Sequence, residues 1–263
     1  MKNVENVTVG NTELNSLTNI KGIISDLEDT GFVLIDSRTF HKVQNENQIL
    51  VTDKDKLEFI ISWQNLEVDR FMSDNGVYRT RKHATFTINS KSKIYNKNDY
   101  QPHYQTTEYN TLNGGVERFY KEIDTNTIRN PIFKNLIQFA YSAFDKNEIK
   151  SWYVEAHQFR IEAKNQIDGK PTPEGIHRDG VDYVLMAMVN KENVVGGITT
   201  IYDLNRNALT SFELKDFLDI AIVNDHIVYH GVSEIQLHNN INSKVGVRDI
   251  LRPSQILCNC PLD

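Results

Sequence analysis

The chain has 263 residues, 39% hydrophobic and 24% charged, enough apolar material to build a shielded core in a soluble globular protein. A net charge of −6 and the absence of a sustained Lys/Arg run argue against nucleic-acid partners, which require a concentrated basic patch. No apolar stretch approaches the roughly 18 residues of a membrane span, and the opening MKNVENVTVG lacks the order of a secretory leader, so a cytoplasmic protein is expected.

Residues 13–30 predict a helix, with Leu17, Ile20, Ile24 and Leu27 at helical spacing and Gly31 as its stop. Residues 32–35 read as a short buried strand. A second helix is expected over about 53–68, on a stripe of Leu57, Ile60, Ile61 and Val68. Residues 78–88 alternate as a strand, with Arg79 and Arg81 on one side. The polar segment 89–115 reads as a long loop, a feature that usually carries function. A third helix spans about 131–145, with Pro131 in its first turn and Ile132, Leu136, Phe139 and Ala140 buried.

From Trp152 the texture changes to short strands over 151–162, 181–190, 197–204, 209–214, 220–230 and 244–252. Turn residues at Asp168-Gly169, Gly196-Gly197 and Asn239-Asn240 separate them. Helices followed by many strands give an α+β chain whose second part is a sandwich or barrel. No repeat or linker interrupts it. One domain over 1–263 is therefore expected, with a mixed part, 1–150, packed on a β core, 151–257. Cys258 and Cys260 are too close in sequence for easy disulfide geometry, which fits a reducing compartment.

His177-Arg178-Asp179, followed by His230, is the most informative pattern. On a strand, residues 177 and 179 share a side, so both reach one ion. Two imidazoles and one carboxylate leave half of an Fe(II) coordination sphere open, whereas a structural zinc site is closed by a fourth ligand. The bare triplet is common, and its context carries the weight. Gly175, Gly180 and Gly231 flank the three residues, and His230 ends the apolar run Ile227-Val228-Tyr229. His226 is a rival, but Asp225-His226 reads as a turn. His41, His83, His103 and His238 fall in segments read as exposed, and His157 reads as a packed core histidine.

These residues, with His157-Gln158-Phe159-Arg160-Ile161, Pro173-Glu174-Gly175, Asn193-Val194-Val195-Gly196-Gly197 and Val247-Arg248-Asp249-Ile250-Leu251, resemble a known family. It is the bacterial Fe(II)/2-oxoglutarate dioxygenases that hydroxylate free amino acids, the isoleucine 4-hydroxylase and pipecolate hydroxylase group. Tyr78-Arg79-Thr80-Arg81, Tyr104-Gln105, Tyr109-Asn110 and Gly114-Gly115-Val116 extend the likeness over most of residues 70–252.

The resemblance implies a double-stranded β-helix (jelly roll) with N-terminal and flanking helices. It implies Fe(II) at His177, Asp179 and His230, with 2-oxoglutarate and O₂ as co-substrates, and release of succinate and CO₂. The far carboxylate of 2-oxoglutarate calls for an arginine fork. Arg248 fits that role, and Arg252, with Ser254 two residues on, fits it also. Arg79, Arg81, Tyr104, Gln105, Gln158 and Arg160 are the substrate-binding residues implied, for a small molecule such as a free amino acid. Tyr183, Leu185 and Tyr202 are candidates for a dry wall. A non-catalytic binder of small carboxylates and a cupin-type oxygenase without 2-oxoglutarate are the competing readings. A homodimer through sheet edges is possible on the same sequence.

Overall fold

In the run Tyr183-Val184-Leu185-Met186-Ala187-Met188-Val189 every side chain is buried. A strand achieves that only when both of its faces are covered. Even-numbered positions 184, 186 and 188 pack into one apolar cluster and odd-numbered positions 183, 185, 187 and 189 into another. This strand is the hinge of the architecture.

A computed structural model describes residues 19–44, 49–89, 95–144, 151–238 and 243–258. Its first half contains α1 (Ile20–Thr30), β1 (Phe32–Ile35), α2 (Ser37–Gln44), α3 (Asp53–Ile61) with a 3₁₀ turn (Ser62–Asn65), β2 (Glu67–Val68), β3 (Arg79–Asn89), β4 (Tyr95–Lys97), α4 (Thr125–Arg129) and α5 (Pro131–Phe144). Strands then dominate: β5 (Ser151–Lys164), β6 (Tyr183–Glu192), β7 (Val194–Gly196), β8 (Thr199–Tyr202), β9 (Ala208–Phe212), β10 (Ile220–Asn224), β11 (Tyr229–Val232), β12 (Ile235–Leu237) and β13 (Val245–Cys258).

The large sheet runs β1-β10-β6-β13-β5-β3-β2, with β4 added on β3, and all its pairings are antiparallel. Its outer face is covered by helices. Phe86, Val154, Ala156 and Leu185 meet Ile23, Leu27, Leu136 and Phe139 there. Its inner face, through Val184, Met186, Met188 and Ile250, meets Ile201 of the small sheet β11-β8-β9. Two facing antiparallel sheets with helices outside form the expected double-stranded β-helix. No described helix is long and apolar enough to cross a membrane.

The differences from the sequence reading have local causes. Residues 13–18, Asn239-Asn240 and Cys260 lie outside the described residues. The helix expected over 53–68 stops at Ile61, and Leu57, Ile61 and Val68 are exposed. Phe59 and Trp63, fully buried with ring centroids 5.1 Å apart, turn the helix onto a different face. Burial of each aromatic ring contributes roughly 2–3 kcal/mol, more than the aliphatic stripe offers against a partly open surface. The run 220–230 is two strands, because a turn at 225–227 separates β10 from β11. The last strand continues past 252 to Cys258. Within the 89–115 loop, β4 pairs with β3; outside it, α2 and α4 are additional helices.

Candidate active site

His177 and His230 face each other across an isolated antiparallel bridge. Each backbone N–H donates to the other's carbonyl at 3.0 Å. That bridge brings two segments distant in sequence to one point, with ring centroids 4.5 Å apart. His177 Nδ1 lies 2.9 Å from the Gly175 carbonyl, which only accepts, so Nδ1 carries the proton and Nε2 presents its lone pair. Asp179 Oδ1 lies 3.7 Å from His177 Nε2, and Oδ2 lies 3.5 Å from His230 Nε2. The three donor atoms all fall within 4.8 Å of one another. Burial, reinforced by His177, lowers the His230 pKa to about 3, so the ring is neutral at ordinary pH and free to ligate. Two imidazoles and a carboxylate form a donor set that fits a divalent transition metal.

The Asp179 loop is held from behind. The Asp225 carboxylate accepts the backbone N–H groups of Asp179 at 2.9 Å, Gly180 at 2.7 Å and Val181 at 3.3 Å. Gly180 has φ +78°, and a Cβ there would sit 2.5 Å from the Tyr109 ring, so only glycine fits. Arg252 forms an ion pair with Asp179. Burial alone would raise the Asp179 pKa, but the Arg252 guanidinium beside it holds it well below the usual carboxylate range. Burial and the neighbouring Asp179 charge push Asp225 up to about 6.

These ligand atoms open onto a cavity of about 80 Å³. Phe159, Ile161, Met186, Val232 and Ile250 supply its apolar wall. Tyr183 and Leu185, expected there, belong to the helix-side core instead. Tyr202 does not line this cavity either. Arg248 lines the cavity on the inner face of β13, 4% exposed, and makes no hydrogen bond or ion pair among the described residues. Burial lowers its pKa only to about 10, so it remains a cation. Arg252 also lines the cavity, but its charge is spent on Asp179. Ser254 Oγ donates to the Glu155 carbonyl at 3.5 Å.

A second buried group, His83, His103, Glu155 and His157, places ligand-type atoms within 4.8 Å of one another. Its hydrogen bonds run the wrong way for a cation. Arg81 Nη2 donates to His157 Nδ1 at 2.7 Å, so the neutral ring carries its proton on Nε2, 3.8 Å from Glu155. His103 Nδ1 donates to Glu155 Oε2 at 2.7 Å, and burial lowers the His103 pKa to about 4. The carboxylate is the centre of this cluster: His103 donates to it, and the Nε2 atoms of His83 and His157 stand 3.8 Å away. His83 and His103, expected to be exposed, are buried here because the β3 register aligns His83 with His157.

Of the other predicted residues, Arg79, Arg81 and Gln105 line the cavity. Arg79 pairs with Asp69 at 2.8 Å, and Arg81 shares that carboxylate at 3.5 Å. Tyr104 is 54% exposed and does not line it. Gln158 and Arg160 require correction. On β5 the odd positions Phe159 and Ile161 face the cavity, so the even ones face away. Gln158 donates to Ser62 Oγ at 2.9 Å, and Arg160 forms a two-pronged pair with Asp249, both bonds 2.7 Å. Arg118, Asn110, Glu174 and Asp225 are site residues that the sequence reading missed. The only sequence signal was the Pro173-Glu174-Gly175 lead-in and the polar loop itself.

Comparison with known proteins agrees with this geometry. Residues 61–252 match the 2OG-Fe dioxygenase family. The L-isoleucine-4-hydroxylase of Bacillus thuringiensis is 27% identical over 220 residues, 81% of this chain and 86% of the relative. The 3(1)-hydroxy-L-isoleucine 4-dioxygenase of Pantoea ananatis is 27% identical over 195 residues, 72% and 76% of the two chains. The crystal structure of a bsmA homolog from Methylobium petroleophilum superposes with TM-score 0.79 at 26% identity, covering 90% of this chain and 93% of that one. The fold and the donor set define an iron oxygenase of the double-stranded β-helix class. The chain belongs to the 2OG-Fe dioxygenase family and is an Fe(II)- and 2-oxoglutarate-dependent dioxygenase.

Proposed function

We propose that this dioxygenase hydroxylates a C–H bond of a free amino acid, with His177, Asp179 and His230 holding Fe(II) and Arg248 anchoring 2-oxoglutarate. The carrying observation is the arrangement of one cavity. Three ligand side chains converge at one point of its wall, and Arg248, buried and unpaired among the described residues, stands elsewhere on the same wall. The names of the two curated relatives supply the substrate class.

Iron bound there supplies the redox chemistry that couples decarboxylation of 2-oxoglutarate to oxygen insertion. The chain supplies position and dryness. Arg248 meets a remote carboxylate in a low-dielectric setting, where a fork of N–H donors is worth more than in water. Arg252 and Gln105 fix the orientation of Asp179. Gln105 Nε2 donates to the Asp179 carbonyl at 3.1 Å and reaches Oδ1 at 3.4 Å. The apolar wall excludes water from the reacting carbon.

β1 and β3, from the first part of the chain, pair into the same sheet as β5, β6, β10 and β13, which supports treating 1–263 as one domain. We also take the enzyme to be cytoplasmic. The test is succinate formation by protein loaded with Fe(II), 2-oxoglutarate and pooled amino acids, with mass spectrometry for a product one oxygen heavier. Activity that survives both His177→Ala and Asp179→Ala would remove the site assignment. Absence of any oxygenated amino acid beside amino-acid-independent succinate would remove the substrate class.

A further inference from the structure

The cavity holds two charges that neither the metal ligands nor Arg248 use. Arg118 is 1% exposed. Its Nη2 donates to Gln105 Oε1 at 2.9 Å, its Nε has no partner, and no described carboxylate forms an ion pair with it. Gln105 Oε1 also accepts from Asn110 Nδ2 at 3.2 Å, so the guanidinium rests against a rigid support. Arg79 and, more distantly, Arg81 are already served by Asp69. Arg118 is the one of these three arginines left without an anion.

Glu174 is its counterpart. Its side chain is 10% exposed, with Oε1 3.5 Å from His177 Nε2. Oε2 is buried with no partner, and no described Lys or Arg pairs with the carboxylate. Glu174 falls outside the set of donor atoms that lie within 4.8 Å of one another, which leaves it out of the metal-binding triangle. Both residues line the same cavity. A buried charge is expensive to keep without a partner, and here the cavity retains one of each sign.

We propose that Arg118 receives the substrate's α-carboxylate and Glu174 its α-ammonium, so that the site selects an unblocked, zwitterionic amino acid. This deepens the amino-acid reading above and rests on it. Gln105 then has a double duty: it braces Arg118 through Oε1 and the Asp179 backbone through Nε2, linking substrate capture to the ligand loop.

The test uses the full chain with Mn(II) and 2-oxoglutarate under argon, titrated calorimetrically with each of the twenty common amino acids. The tightest binder is compared with its primary amide and with its deaminated acid. Loss of one charged hydrogen-bonded contact predicts binding weaker by roughly 10- to 150-fold for each analogue. In Glu174→Gln the penalty for removing the amine collapses to within about threefold while the amide penalty persists, and in Arg118→Gln the reverse holds. The 2-oxoglutarate affinity of the same samples reports that each variant is folded. Should Arg118→Gln not fold, Arg118→Lys keeps the cation and is expected to keep the amide penalty.

The clamp is overturned if wild type binds the analogues as tightly as the parent, or if both variants discriminate as wild type does. A loss of Mn(II) affinity in Glu174→Gln overturns it also, by assigning that carboxylate to the metal. If wild type binds no amino acid at all, the amino-acid reading falls and takes the clamp with it. If amino acids bind but the discrimination is indifferent to both substitutions, only the clamp falls.

Discussion

Replacing Arg248 by methionine separates binding from stability, because the two effects have opposite signs. The side chain is 4% exposed, no described residue forms a hydrogen bond or ion pair with it, and a Cβ on the facing Gly197 would lie 3.1 Å from its Cδ and Nε. The guanidinium is therefore fixed in a narrow slot, and methionine is close enough in shape to occupy it. Removing one partner from a buried hydrogen-bonded charge pair costs about 2–5 kcal/mol. The Kd for 2-oxoglutarate should then rise roughly 30- to 5000-fold. In the ligand-free protein the same substitution removes an uncompensated buried cation, which should stabilise the fold by about 1–3 kcal/mol. Isothermal titration with 2-oxoglutarate and urea unfolding of the ligand-free protein measure the two terms. Unchanged 2-oxoglutarate affinity, or a ligand-free protein made less stable by the change, would refute the reasoning.

Arg160→Ala should behave in the opposite manner, because it strands Asp249, whose side chain is fully buried. A loss of about 3–5 kcal/mol is expected on urea unfolding, with 2-oxoglutarate affinity unchanged in the surviving folded protein. Asp225→Ala leaves the N–H groups of Asp179, Gly180 and Val181 without their acceptor. Mn(II) affinity measured by electron paramagnetic resonance should fall by about 10- to 100-fold. In acid, the metal-free protein should weaken. Burial holds His103 at about 4 and His230 at about 3, below the unfolded value near 6.5, so unfolding takes up protons between those limits. Stability is then highest above pH 6.5 and falls as pH drops, by about 1.4 kcal/mol per pH unit for each such histidine. His103→Gln should remove one such increment from the slope between pH 6.5 and 4.5, and an unaltered slope would contradict the burial argument.

The residues legible in the sequence were those governed by strand parity and by short-range pattern. His177 and Asp179 share a side because they are two apart, and His230 stands where an apolar run ends at Gly231. Parity also explains the error at Gln158 and Arg160. The family resemblance spans His157-Gln158-Phe159-Arg160-Ile161 as a whole, but alternate residues of a strand face opposite sides, and Phe159 and Ile161 are the ones that face the cavity. The register between β3 and β5, which buries His83 against His157, is a long-range pairing with no local signature. Arg118 and Asn110 sit in a loop without periodicity, so their convergence with Gln105 depends on turns that composition does not encode. The second helix failed for an energetic reason: two aromatic residues four apart outweighed the aliphatic stripe that set the expected face.

Anaerobic absorption spectroscopy of the Fe(II)-loaded protein titrated with 2-oxoglutarate bears most directly on the metal site. A keto acid chelated to ferrous iron gives a visible charge-transfer band. The band should form with wild type and with Gln158→Leu, disappear in Asp179→Ala, and require far more 2-oxoglutarate in Arg248→Met. A band of full intensity in Asp179→Ala would contradict the assignment of iron to His177, Asp179 and His230.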